Sequence, residues 1–151
     1  MGFRGVTDPA VPIERRLKAM KRFHDAGIRT TCFISPIFPG ITEPEAIILK
    51  AMGSCNLVWL ENLNLRGQFR PDILGYIRDS HPDLLPLYES IYINGDQSYW
   101  SNLDSRMHAF CIDHGLDYAT NDDSMSRDFD DPPVVVNYFF HERIKKSSRG
   151  V

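Results

Sequence analysis

The period of the apolar positions changes several times along the chain, and each change marks an element. Ile13, Leu17, Met20 and Phe23 recur at three- and four-residue steps, which places them on one face of a helix. Asp8-Pro9 and Pro12 open that helix, Glu14 sits in its first turn where the helix dipole favours an anion, and Gly27 ends it. Ile28 to Ser35 reads as a strand, because Thr30, Thr31, Phe33 and Ile34 are β-branched or aromatic. Pro36 cannot donate to a ladder, so regular pairing should stop near Ser35, and Pro39-Gly40 turns the chain away. Thr42-Glu43-Pro44-Glu45 has the form of a capping box ahead of Ile47, Ile48, Ala51 and Met52, and Gly53 closes that second helix. Leu57 to Leu63 is a second strand, apolar first and then alternating. Helix, strand, helix, strand predicts a parallel βαβ unit with a right-handed crossover.

Beyond Gly67 the spacing is helical. Pro71 starts a short helix through Ile73, Leu74 and Ile77, and Leu84, Leu87, Tyr88, Ile91 and Tyr92 keep the period after Pro82-Asp83. Asn94-Gly95-Asp96 is a turn. A longer helix carries Trp100, Leu103, Met107, Phe110 and Cys111 as far as Gly115. Asn121 to Pro133 reads as an acidic loop, Val134 to Phe140 as a last buried strand, and Arg143 to Arg149 as a frayed basic tail. There is no repeat and no linker, so residues 1–151 are read as one α/β domain.

Composition narrows this picture only a little. A chain of 151 residues can bury a real core, and its net charge of −3 gives no general pull toward nucleic acid or anionic membrane. No run suits a bilayer span or a signal peptide. Cys32, Cys55 and Cys111 are odd in number and widely spaced, which argues for reduced thiols and a cytoplasmic setting. No CxxC or CxxxC spacing occurs.

Most candidate chemistry has a plain competing explanation. His108, Cys111 and His114 share a helix at i, i+3 and i+6 and together suit a metal, but core packing of Cys111 and two surface histidines explain them more simply. His141-Glu142 fails as a zinc-protease motif because Lys145 stands where the second histidine belongs. Asp122, Asp123, Asp128, Asp130 and Asp131 lack EF-hand spacing and read as a solvated loop. Lys145, Lys146 and Arg149 read as a solvated tail.

Several runs carry a resemblance. Glu14-Arg15-Arg16-Leu17, Phe23 to Ile28, Ser35-Pro36-Ile37-Phe38-Pro39-Gly40-Ile41, Val58 to Asn64 and Val136 to Glu142 are together similar to the later half of a radical S-adenosylmethionine (SAM) enzyme. The closer likeness is to the spore photoproduct lyase-like, or DNA repair photolyase-like, branch. It covers roughly Val6 to Lys146. The resemblance implies the C-terminal part of a partial (β/α) TIM-like barrel: a parallel βαβ unit, a mostly helical region and a final strand. It also implies that Ile34, Ser35 and Pro36 at one strand end, and Glu61, Asn62 and Asn64 at the next, form part of the SAM pocket. Local capping of the strand ends is the alternative for these residues.

The CxxxCxxC loop that binds the family's [4Fe–4S] cluster is absent from this sequence. The expectation is therefore a fragment that is inactive alone, with SAM and a 4Fe–4S cluster belonging to the complete enzyme and neither expected on this chain by itself. Its expected partner is the missing N-terminal half of the barrel or, through an exposed strand edge, a second copy. Nucleic acid enters as a partner by the resemblance alone. The alternatives are a non-catalytic α/β interaction domain, or a small metal-independent enzyme with its site at the strand tips near Ser35 and Glu61.

Overall fold

The computed structural model describes residues 11–119 and 128–139. Helix α1 (Ile13–Asp25) is followed by β1 (Thr31–Ile37), α2 (Pro44–Ala51), β2 (Leu57–Asn62) and α3 (Phe69–Ser80). A 3-10 turn at Pro82–Leu84 leads into α4 (Leu85–Tyr92), α5 (Ser98–Asp113), β3 (Asp117–Ala119) and β4 (Val134–Asn137). The four strands form one sheet in the order β1-β2-β4-β3, and every neighbouring pair is parallel. The βαβ unit is present, with Thr31 opposite Leu57 and Ile34 opposite Leu60. Val134 to Val136 are fully buried, as suits a parallel strand covered on both faces.

The main core lies between the sheet and the helices. Cys32, Ile34 and Ile37 of β1, Val58 and Leu60 of β2 and Val135 of β4 meet Ile48 and Ala51 of α2 and Trp100, Leu103, Met107 and Cys111 of α5. Leu57, Val134 and Val136 face the other way, with Trp59, Ala119 and Tyr138 packed against them. A smaller cluster of Leu63, Leu65, Ile77 and Tyr88 fastens α3 and α4 beyond the end of β2.

Local details depart from the sequence pattern in four places. Strand β1 begins at Thr31 and runs past Ser35 to Ile37, because its outer edge has no strand partner among the described residues. Pro36 therefore displaces no second ladder; the register shifts between Ile34 and Ile37 and pairing resumes with Asn62. The capping box does not form. Thr42 Oγ1 instead accepts the Phe38 amide at 3.0 Å, and α2 starts at Pro44 without a side-chain cap. Helix α3 begins at Phe69, two residues before Pro71. Finally, β3 is a three-residue strand that follows Gly115, where the pattern shows none, and it is held by pairing with β4. Residues 121–127 of the acidic loop, Phe140 at the end of the expected last strand and the basic tail from Arg143 to Arg149 lie outside the described residues.

Candidate functional site

The carboxyl ends of β1 and β2 bring two of the expected residues together. Ser35 Oγ donates to Glu61 Oε2 at 2.6 Å, across the gap between the two parallel strands. This bond fixes both side chains on the sheet face opposite the main core. Alternation then places Phe33 and Trp59, two residues earlier on each strand, on that same face. Their rings meet edge-to-face with centroids 5.9 Å apart, and Trp59 in turn stacks on Tyr138 at 4.0 Å. A row of three aromatic rings thus crosses the sheet just below the Ser35–Glu61 pair. Phe33 is 59% exposed, so its ring is accessible from solvent.

The remaining expected residues are not part of this constellation. Ile34 is buried in the main core, so only its backbone reaches the strand end. Asn62 pairs with Ile37, whose side chain is in the core, and so stands on the helix side of the sheet, opposite to Glu61. Asn64 lies beyond β2, where its amide meets the Arg66 guanidinium. Pro36 is exposed at the register shift, next to Ser35. The aromatic row is absent from the sequence-based candidates, although a signal for it existed. Phe33-x-Ser35 and Trp59-x-Glu61 repeat one pattern, aromatic then polar at a two-residue step, which is the spacing that shares a face.

A second polar cluster ties the sheet to α5. Tyr118 Oη donates to Asp104 Oδ1 at 2.7 Å, and Asn137 Nδ2 donates to the same oxygen. Asn137 Oδ1 accepts the Phe139 amide at 2.7 Å, so all three groups are engaged. Burial, with the Asp104 carboxylate beside it, pushes the Tyr118 hydroxyl well above the ordinary phenol range. This is a clamp at the carboxyl ends of β3 and β4, built entirely of mutually satisfied groups.

The metal candidates diverge. Cys111 is fully buried, His108 stacks on Tyr118, and His114 Nδ1 lies 2.8 Å from the Phe110 carbonyl. Among the described residues no three His, Cys, Asp or Glu side chains are grouped so as to hold a metal ion. Asp128 and Asp131 are joined by a turn in which the Asp128 amide donates to Asp131. Asp122, Asp123, His141, Glu142, Lys145, Lys146 and Arg149 lie outside the described residues. All three thiols are buried, and burial pushes Cys111 up to about 11 and Cys55 up to about 12.

Two concavities accompany these groups. One, of about 700 Å³, lies at the amino ends of the strands, where the His24 ring stacks on Phe129 with centroids 4.4 Å apart. The other, of about 540 Å³, runs between α1 and β1 and reaches Ser35 and Pro36.

No family model matches the chain, and no solved structure matches it. An uncharacterized protein of Methanocaldococcus jannaschii is 31% identical over 70 residues, which are 46% of this chain and 26% of that protein. The chain thus spans about a quarter of the length of the curated relative it matches. No helix among the described residues is long and apolar enough to cross a membrane.

Proposed function

We propose that this chain forms one wall of a SAM pocket in a radical SAM enzyme of the spore photoproduct lyase-like type, its parallel sheet being a segment of that family's partial barrel. The observation that carries the reading is the Ser35–Glu61 hydrogen bond, which gathers polar groups at the carboxyl ends of adjacent parallel strands. Ligands of parallel α/β sheets bind at that end. Glu61 retains acceptor capacity beyond its bond to Ser35, which suits a ribose hydroxyl. The exposed Phe33 ring beside Trp59 offers the flat apolar surface on which a purine stacks.

The bound cofactor supplies the radical chemistry of such an enzyme, and this chain's own residues orient it and keep water from one side. The cluster is a different matter, since its ligands must be thiolates. Cys32, Cys55 and Cys111 do not fit that role: they are buried, and burial favours the neutral thiol in each. In this reading the cluster ligands come from another segment, and no redox step belongs to this chain alone. That segment is also its proposed partner.

The test is a titration with SAM, followed by amide NMR, of this chain joined to the segment that supplies the cluster thiolates. Shifts are expected at Phe33, Ser35 and Glu61, without comparable shifts near His24 and Phe129 at the opposite end of the sheet. Glu61→Ala should weaken the response about five- to hundred-fold, the cost of losing a buried hydrogen-bond partner. Asn62→Ala should weaken it less, because Asn62 stands on the other face. Absence of any shift at the strand tips at millimolar SAM, with the sheet intact, overturns the reading.

A further inference from the structure

Three connections converge at the amino ends of β1, β2 and β4, and the cavity of about 700 Å³ between them lies at the other end of the sheet from Ser35 and Glu61. Asn56, only 6% exposed, holds these connections together. Its Oδ1 accepts the Thr30 amide at 3.0 Å, its Nδ2 donates to the Phe129 carbonyl at 3.1 Å, and its own carbonyl accepts the Val134 amide. The turn that carries Phe129 is thereby tied to the sheet, and the cavity is built from this chain's own connections.

The charge around it is one-sided. Helices α1 and α2 both end here, beside Gly27 and Gly53, and a helix carries its partial negative charge at that end. Asp25 is the last residue of α1, where an anion is unfavourable, and Asp130 and Asp131 line the cavity from the Phe129 turn. Lys21 Nζ bonds both Asp25 oxygens at 3.0 Å, and the Asp128 amide donates to Asp131 Oδ2. Each of these oxygens keeps acceptor capacity. No lysine or arginine is among the described residues that line the cavity. Carboxylates gathered at two helix C-termini work against the fold's own stability, and a bound cation relieves them.

Size and wall chemistry decide which kind of cation. Among the described residues no three His, Cys, Asp or Glu side chains are grouped to hold a metal ion, and the volume is that of a small-molecule site. Met52, Pro132 and the stacked rings of His24 and Phe129 give it an apolar wall. His24 Nδ1, on that wall, is shut off from solvent and has no hydrogen-bond partner, a demand that a ligand donor would meet.

We propose that this cavity binds a linear aliphatic diamine. One ammonium meets Asp130 and Asp131; the other lies at the ends of α1 and α2, beside Asp25, and donates to His24 Nδ1. The methylenes between them run over Met52 and Phe129. The lysine side chain of a partner polypeptide offers the same ammonium on a similar stem, but brings one charge to a site with carboxylates on two walls. The proposal does not rest on the cofactor reading, which concerns the opposite end of the sheet, and the two fail separately.

The probe is 1,4-diaminobutane, titrated at constant ionic strength into the protein in the form used for SAM and read by amide NMR. Shifts are expected at Gly27, Gly53 and Phe129, with none comparable at Phe33 and Ser35. n-Butylamine, with the same carbon chain and one charge, should bind at least about five-fold more weakly, the scale of one exposed ion pair. Asp130→Asn should weaken the diamine by a similar factor. His24→Phe, which keeps a ring on Phe129 and removes the acceptor, should weaken it by about five-fold as well. Equal affinity for the two amines, unchanged affinity in either variant, or no shift around the cavity at millimolar diamine overturns the proposal. Tighter binding of a capped lysine dipeptide assigns the cavity to a partner's side chain and equally overturns it.

Discussion

Helices α1 and α5 lie on the same side of one sheet, yet they are held very differently. Trp100, Leu103, Met107 and Cys111 of α5 are each at most 2% exposed, whereas α1 contains no buried residue at all. The difference does not come from patterning, since α1 is the more sharply amphipathic of the two. It comes from position. α5 contributes to a core with Val58 of β2 and Val135 of β4, near the centre of the sheet, whereas α1 lies along the open edge of β1. An apolar stripe stabilises only as far as there is a second surface to cover it, so amphipathicity states a demand that the rest of the fold must meet. Here the demand of α5 is met and that of α1 is met in part.

Truncation of one residue on each helix puts this contrast at risk. Trp100→Ala should cost about 3–5 kcal/mol and remove most of the cooperative transition, given that such domains have only about 5–15 kcal/mol in total. Leu17→Ala should cost no more than about 1 kcal/mol in denaturant titration, because Leu17 is only half-buried. Equal losses would show that α1 is as firmly held as α5. The clamp on β4 falls between them. Asn137→Ala leaves Asp104 with one donor fewer and the Phe139 amide without its acceptor, a loss of about 1–3 kcal/mol. Hydrogen exchange in that variant should rise first in β3 and β4 and leave α2 unaffected.

A pH series sharpens the same comparison at smaller amplitude. Burial holds the Cys55 thiol up at about 12 in the folded chain, against an ordinary value of 9.0, so folding favours its neutral form. That contribution is complete below pH 9 and is lost as pH rises from 9 toward 12, where the unfolded thiol ionises first. Cys32 and Cys111 are shifted in the same direction, so the melting temperature should fall above pH 9. Cys55→Ala should make that fall shallower. An unchanged slope would show that Cys55 is reached by solvent before global unfolding, and that the α2–β2 connection opens separately from the core.

The parts of this fold that local chemistry decides were readable in advance. The β-branched and aromatic run at Thr30 to Ile34, the apolar run at Leu57 and the three valines at 134–136 each lie in a strand where one was expected, although the last strand ends at Asn137 instead of continuing through Tyr138 and Phe139. Gly27 and Gly53 end their helices at positive φ, as the pattern implied. What long-range pairing decides was not readable. Strand β3 is three residues of mixed character that become a strand by lying beside β4, and nothing local distinguishes Asp117-Tyr118-Ala119 from a loop. Thr42 offered a capping hydroxyl to α2, but the Phe38 amide competed for it and won. The candidate site shows the same division. Glu61 and Asn62 are both polar residues at a strand end, and only the face each one takes, fixed by the bond to Ser35 and the register with Ile37, separates them.

The strand order has a consequence for synthesis. β4 is the last of the four strands in chain order, yet it sits inside the sheet between β2 and β3. While the ribosome is still adding residues before Val134, β2 has an open flank and β3 has no strand to pair with among the described elements. Until Val134 to Asn137 are in place, β2 lacks its β4 neighbour and α5 lacks Val135 beneath it. A strand that inserts between two earlier ones rests on long-range pairing, which forms slowly and leaves apolar edges open meanwhile.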